Sequence, residues 1–221
     1  MIEEHENMIE DVRIKIVAVP DAEMDARREK EADIERRAWA RSIFDRANCP
    51  ARHREQTDLD TTGQWARALE RLITKLGSGF IIGLVGERGN GKTQMAVELI
   101  RAGSWKGKTA LFASATQFFM DVKSAYKSSS GDDERSVLKR YRKPSLLVLD
   151  EIGKRGETEW ENRLLFELLD KRYGDKSDTL VISNQDPAAF GAALGAALVS
   201  RMDESGGIIE CGWPSYRRPK P

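Results

Sequence analysis

The sequence predicts an α/β domain whose sheet is parallel and covered by helices on both faces. Three observations predict it. From residue 80 onward, short apolar segments alternate with segments of helical periodicity. Those apolar segments carry almost no charge inside, as strands buried on both faces do. The first of them runs into a glycine-rich turn and then directly into a helical pattern. A length of 221 residues, 40% of them hydrophobic, suits one such core with an appendage.

The elements follow in chain order. Val12, Ile14 and Ile16 alternate with Arg13 and Lys15 up to Pro20, a pattern that suits a short strand or a free tail. More than half of residues 21–47 are charged, with neither Gly nor Pro among them, and opposite charges recur at helical spacing, Asp33 with Arg36 and Arg37 for example. Ile34, Ala38, Trp39, Ile43 and Phe44 add a short apolar stripe. Either a solvated helix or a partner-binding one fits this pattern. Residues 51–63 read as a polar connector. Thr61 or Thr62 is placed to cap a helix over 64–76, with Trp65, Leu69, Leu72, Ile73 and Leu76 on one side. Strands are then expected over 80–85, 108–113, 145–149, 179–183 and 208–211. Helices are expected over 92–102, 116–126, 134–142, 159–173, 187–194 and 196–202, with a flexible break at 128–131. Domain organisation follows: residues 1–50 as tail and charged helical arm, 51–221 as the core.

Charge narrows the function. Lys and Arg number 36, as do Asp and Glu, so bulk attraction to nucleic acid is excluded and only a local basic strip can serve it. No apolar run is long enough to span a membrane, and the first residues do not read as a secretory signal. Cys49 and Cys211 lie far apart and form no metal-ligand spacing, so they read as packing residues of a reduced, cytoplasmic protein. His5 and His53 have no ligand-spaced partners and receive no chemical role.

Gly86-Glu87-Arg88-Gly89-Asn90-Gly91-Lys92-Thr93 fits the phosphate-loop pattern, with a strand before it and a helix after it. Its glycines allow the backbone to wrap around phosphates, Lys92 neutralises them, and the Thr93 hydroxyl is a Mg²⁺ ligand. The apolar strand at 145–149 then delivers Asp150 and Glu151 to its carboxyl end, where such sheets place ligands. Asp150 is expected to hold Mg²⁺ through water, and Glu151 to act as the base toward the attacking water. Asn184, after the next strand, is placed to orient that water.

These residues, in this order, resemble the AAA+ ATPases of the DnaC/IstB helicase-loader group, from about Phe44 to Arg217. The resemblance rests on the connector Cys49-Pro50-Ala51-Arg52-His53-Arg54, on Leu146–Gly153 reading LLVLDEIG, on Ser200-Arg201-Met202, and on Trp213-Pro214-Ser215-Tyr216-Arg217. It implies an AAA+ core with strand order 5-1-4-3-2, ATP and Mg²⁺ as cofactors, and Arg201 as an arginine finger acting across a subunit boundary in a homo-oligomer. It also implies a replicative DNA helicase of the DnaB type as partner. The sequence departs from the group in two ways. The long N-terminal domain with its cysteine cluster is missing, so helicase contact falls to the arm at 21–47, and a phage-encoded version in an infected host is suggested. No lid domain follows the last strand, which leaves Arg217 as the late arginine candidate.

Single-strand binding needs rings beside positive charge. Lys123, Tyr126 and Lys127 supply both, as do Lys154, Arg155 and Trp160, while Lys139, Arg140, Arg142 and Lys143 add a basic cluster. Phe118 and Phe119 read as core. The leading expectation is an ATP-dependent loader that binds single-stranded DNA and delivers a replicative helicase. The alternatives are an IstB-like transposition helper that prefers duplex, a P-loop kinase for a small acceptor, and a nucleotide-gated binding module with little turnover.

Overall fold

The computed structural model describes residues 21–55, 63–126 and 133–216. β1 (Ile81–Val85), β2 (Ala110–Ser114), β3 (Leu146–Asp150), β4 (Asp178–Ile182) and β5 (Gly207–Glu210) form one sheet in the order β2-β3-β4-β1-β5. Every pairing is parallel, and the order is the expected 5-1-4-3-2 read from the other edge. Burial follows the sheet order. β1, β3 and β4 are buried at every position, whereas the edge strands β2 and β5 are buried only in part.

Alternation along the strands feeds two apolar layers. Leu147 and Leu149 of β3 pack in one layer with Phe118, Leu164, Leu168 and Met202. Leu146 and Val148 pack in the other with Trp65, Leu72, Met95, Leu99 and Trp213. Each fully buried Leu or Phe contributes about 1.5–3 kcal/mol relative to exposure. Phe118 and Phe119 are core, as expected.

α1 (Asp21–Arg46) is one helix, and the chain divides after Trp39 into two compact units. In the first unit its surface carries ion pairs, Arg27–Glu31 at 3.0 Å and Arg37–Asp33 at 2.6 Å. Hydrogen bonds from Arg36 and Arg37 hold the Asp33 carboxyl below its ordinary range. The apolar stripe read from the sequence divides at the same place. Ile34 and Trp39 are exposed, whereas Ile43 and Phe44 are buried in the second unit with Ala40 and Ala47. The Ala47 carbonyl accepts from Phe112 N–H at 2.7 Å, so this stretch lies along edge strand β2.

The connector contains an unexpected short helix, α2 (Ala51–Arg54). α3 (Gln64–Lys75) starts after Gly63 with no side-chain cap; Thr61 and Thr62, expected to cap it, lie outside the described residues. α4 (Lys92–Trp105), α5 (Ala115–Ala125), α6 (Glu134–Arg142), α7 (Glu159–Gly174), α8 (Pro187–Leu194) and α9 (Ala196–Ser205) stand close to their expected positions. Residues 12–16 and 128–131 also lie outside the described residues. No helix among the described residues is long and apolar enough to cross a membrane.

Candidate active site

Among the described helices, four start on a side-chain cap: Ser114 for α5, Asp133 for α6, Thr158 in a capping box with Glu161 for α7, and Asp186 for α8. α4 starts on Gly91, which has none. The first backbone N–H groups of that helix are therefore not covered by a side chain at its N-cap, and an anion fits there. Gly91 has φ +76°, and a Cβ on it would stand 2.8 Å from Trp65 Nε1. Only glycine meets both conditions.

The turn between β1 and α4 is held from outside by two indoles. Trp65 Nε1 donates to Gly91 O at 3.2 Å, and Trp213 Nε1 donates to Asn90 O at 2.7 Å. The Asn90 amide donates in turn to Cys211 O at 2.7 Å and Trp213 O at 2.6 Å, and Tyr216 N–H donates to Gly89 O at 3.0 Å. The Trp-x-Ser-Tyr segment thus clamps the loop. Sequence reasoning found this segment only as a resemblance and placed Trp65 only on an apolar stripe. Glu87 and Arg88 are exposed on the turn.

The chemistry-bearing groups converge inside the turn. Lys92 Nζ donates to Gly86 O at 2.7 Å and Glu87 O at 2.6 Å, bent back over the loop. Thr93 Oγ1 donates to Asp150 Oδ2 at 2.8 Å, which brings together two hard oxygen groups from α4 and β3. Burial raises the Asp150 carboxyl above its ordinary range, and hydrogen bonds from Thr93 and from Glu151 N–H oppose that shift. A triphosphate fits the uncapped helix start and Lys92, and a divalent cation fits the Thr93–Asp150 oxygens. Such a cation would supply charge neutralisation at the phosphates.

Glu151 follows β3 at φ +59°, a left-handed conformation uncommon for a residue with a side chain. This aims its carboxylate away from the strand line, and Lys154 of the following 3₁₀ turn (Ile152–Lys154) pairs with it. Asn184 is exposed just past the end of β4, between the ends of β3 and β1 in the sheet order. Its neighbours, missed in the sequence, tie this end together. Ser183 Oγ lies 3.0 Å from Gln185 Oε1, and Gln185 O accepts from Gly86 N–H at 3.1 Å.

Arg201 stands apart from these groups. Its guanidinium pairs with Asp170 at 2.6 Å, donates to Ala197 O at 2.9 Å, and lies over the rings of Phe166 and Tyr173 at 5.3 and 5.7 Å. None of these partners belongs to the phosphate loop.

Of the strip residues, Lys123 and Trp160 are brought together, with Nζ 5.2 Å from the ring centroid. Trp160 is half-buried against Phe119, centroids 5.9 Å apart, and Tyr126 is exposed. Lys127 and Arg217 lie outside the described residues. Arg155 corrects the expectation. The sequence suggests a surface cation beside Lys154, but Arg155 is buried, and its guanidinium donates to the Ala193 carbonyl at the end of α8. The chain turns extended after the 3₁₀ turn and directs this side chain inward, so it has no face for a DNA backbone.

His53 also has a partner that the sequence did not reveal. Its Nδ1 lies 2.8 Å from Gln94 Oε1, one residue past Thr93, and Gln94 Nε2 donates to Glu98 at 3.0 Å. The connector is therefore fastened to the phosphate-loop helix. Cys49 and Cys211 are buried free thiols, pushed by burial up to about 11 and about 12, consistent with packing roles.

A family model described as IstB-like ATP binding protein matches residues 28–220. The chain belongs to that family. Among curated relatives, the replicative helicase loader DnaC of Buchnera aphidicola subsp. Baizongia pistaciae is 26% identical over 134 residues, 60% of this chain and 54% of that protein. DnaC of Escherichia coli K12 is 26% identical over 133 residues, with the same coverage. The chain therefore spans about half the length of the curated relatives it matches. Among solved structures, a crystal structure of the DnaC helicase loader overlays with a TM-score of 0.59 at 20% identity, covering 76% of this chain and 97% of that one. AMPPCP-bound DnaA from Aquifex aeolicus overlays at 0.58 and 21%, covering 67% and 47%. At these identities the overlays show the AAA+ fold, which agrees with the strand order.

Proposed function

We propose that this chain is an ATP-dependent loader for a replicative DNA helicase of the DnaB type, working in the bacterial cytoplasm. It binds ATP with Mg²⁺ at Lys92, Thr93 and Asp150, hydrolyses it with Glu151 as base and Asn184 as water ligand, and assembles so that Arg201 reaches a neighbour's phosphates. The observation that carries the reading is the placement of the Lys123–Trp160 pair. Trp160 stands in the first turn of α7, nine residues after Glu151 and beyond the turn that holds Lys154, and Lys123 reaches its ring from α5. Nucleotide state and strand contact thus meet in one continuous segment. Co-purification with the host replicative helicase tests the reading. Retention that depends on ATP supports it, and no retention with ATP or ADP sinks it.

Tyr126, Trp160, Lys123 and Lys154 form the single-strand surface in this reading. Stacking on a ring is worth roughly 1–3 kcal/mol per base. Tyr126→Ala with Trp160→Ala is therefore expected to weaken single-strand binding by at least about tenfold, measured by anisotropy of a labelled oligonucleotide. ATP hydrolysis without DNA is expected to stay as in the parent. Equal binding by the double variant, or a parental preference for duplex, favours the IstB-like transposition helper instead.

Arg201 is held by Asp170 and two rings in the single chain, so its use in trans requires release at a subunit boundary. Arg201→Ala is expected to bind ATP but not hydrolyse it. Mixing it with Lys92→Ala is expected to restore part of the activity, because one subunit supplies the finger and the other the nucleotide. Parental hydrolysis by Arg201→Ala alone, with no effect of mixing, removes the trans role.

A further inference from the structure

A second basic feature is lined by neither Lys123 nor Trp160. α6 and α7 enclose a cleft of about 640 Å³ that reaches Asp175 and Ser177, just before β4. It sits toward the strand starts, whereas the phosphate loop and Asp150 stand at the strand ends. Leu138 and Leu168 line it between the cations.

Among the described residues five cations meet two carboxylates there. Asp175 is already engaged by Arg142 in a bidentate pair, and Arg142 holds its carboxyl below the ordinary range. Glu167 faces Arg163 at 3.8 Å. That leaves Arg135, Lys139, Lys143 and Lys171, none of which has a side-chain hydrogen bond or ion pair among the described residues. Helix dipoles explain only part of this. Cations in a last turn stabilise a helix, which covers Lys139 on α6 and Lys171 on α7. Arg135 is in the first turn of α6, where a cation opposes the dipole. The chain as a whole is neutral, so this concentration is local.

Among the described residues no aromatic side chain lines the cleft. Bases have nothing to stack on, and the fit is to phosphates alone. The wall is also firm, because the buried Arg172 guanidinium holds the carbonyls of Tyr141, Arg142 and Pro144 at the end of α6.

We propose that the α6–α7 cleft is a second nucleic-acid contact that grips the phosphodiester backbone and ignores the bases. It rests on the reading that this chain binds DNA. A labelled abasic oligonucleotide, which keeps phosphates and lacks bases, separates the two contacts on the full chain. Lys139→Ala with Lys171→Ala is expected to lower the salt dependence of abasic-strand binding by about 1.4 in log–log slope, at about 0.7 per lost phosphate contact. Tyr126→Ala with Trp160→Ala is expected to leave abasic binding as in the parent while weakening the normal strand. Both lysines are exposed, so an unchanged melting temperature accompanies the first result. An unchanged salt slope overturns the cleft proposal even where the ring variant behaves as expected, and then the loader reading stands without it. Displacement of the abasic strand by equimolar inorganic tripolyphosphate marks a free-phosphate site and also overturns it. So does loss of helicase co-purification with an unchanged slope, which assigns the cleft to an acidic protein.

Discussion

Glu151→Gln is expected to slow ATP hydrolysis by at least about 100-fold while ATP binding stays intact, the usual scale for losing a general base. In the proposed reading the binding contacts come from elsewhere: the uncapped start of α4, Lys92, and the Thr93–Asp150 oxygens. Glu151 contributes no hydrogen bond to the loop; its carboxylate is tied to Lys154. Glutamine is nearly isosteric and keeps the left-handed backbone at the same cost, so the substitution removes basicity and little else. Lys92→Ala provides the opposite signature. It removes the cation from the loop, so binding itself is expected to weaken. Phosphate release and the affinity of a fluorescent ATP analogue, measured on both variants, separate the roles. Parental turnover in Glu151→Gln removes Glu151 as the base.

The largest stability effect is expected at Arg172, far from the nucleotide. This side chain is fully buried in the last turn of α7. Nε donates to Thr179 Oγ1 at 2.8 Å, Nη2 to Asp178 O at 2.5 Å, and Nη1 to Arg142 O and Pro144 O at 2.7 and 2.9 Å. Burial pulls its pKa down to about 10, so it stays charged at neutral pH. The guanidinium thus joins α7, the end of α6 and the start of β4. Arg172→Met removes the donors and leaves several buried acceptors unpaired, an expected loss of roughly 3–5 kcal/mol. For a domain of this size that lowers the melting temperature by roughly 6–20 °C. Arg172→Lys keeps the charge but not the planar fork, and is expected to recover only part of the loss. A fall below about 1 kcal/mol in denaturant unfolding of Arg172→Met contradicts this account.

Arg172 was invisible in the sequence, where it is one more charge near a helix end. Asp178 was equally hidden. It lies just before the strand expected over 179–183, yet its carboxylate accepts from Gly77 N–H at 2.6 Å and Gly79 N–H at 2.9 Å. Buried polar residues of this kind are recognisable only once their partners are known, because their type and spacing match those of solvated residues. Lys154 and Arg155 make the same point as neighbours. The two cations are adjacent and alike in sequence, but one is exposed and pairs with Glu151 while the other is buried and bonds to the end of α8.

What the sequence determined by itself was whatever is local along the chain. The phosphate loop is eight consecutive residues between a strand and a helix, and Asp150-Glu151 follows an unbroken apolar run. Contiguity and periodicity carry such features without reference to the rest of the molecule, and the parallel sheet follows from the same alternation. Tertiary structure alone decided what supports them. Trp213 reaches Asn90 across 123 positions, Trp65 reaches Gly91 across 26, and His53 reaches Gln94 across 41. It also decided which cations face solvent and which of them line one cleft. The physical reason is that burial and hydrogen-bond partnership depend on distance in space, and a residue's type records neither.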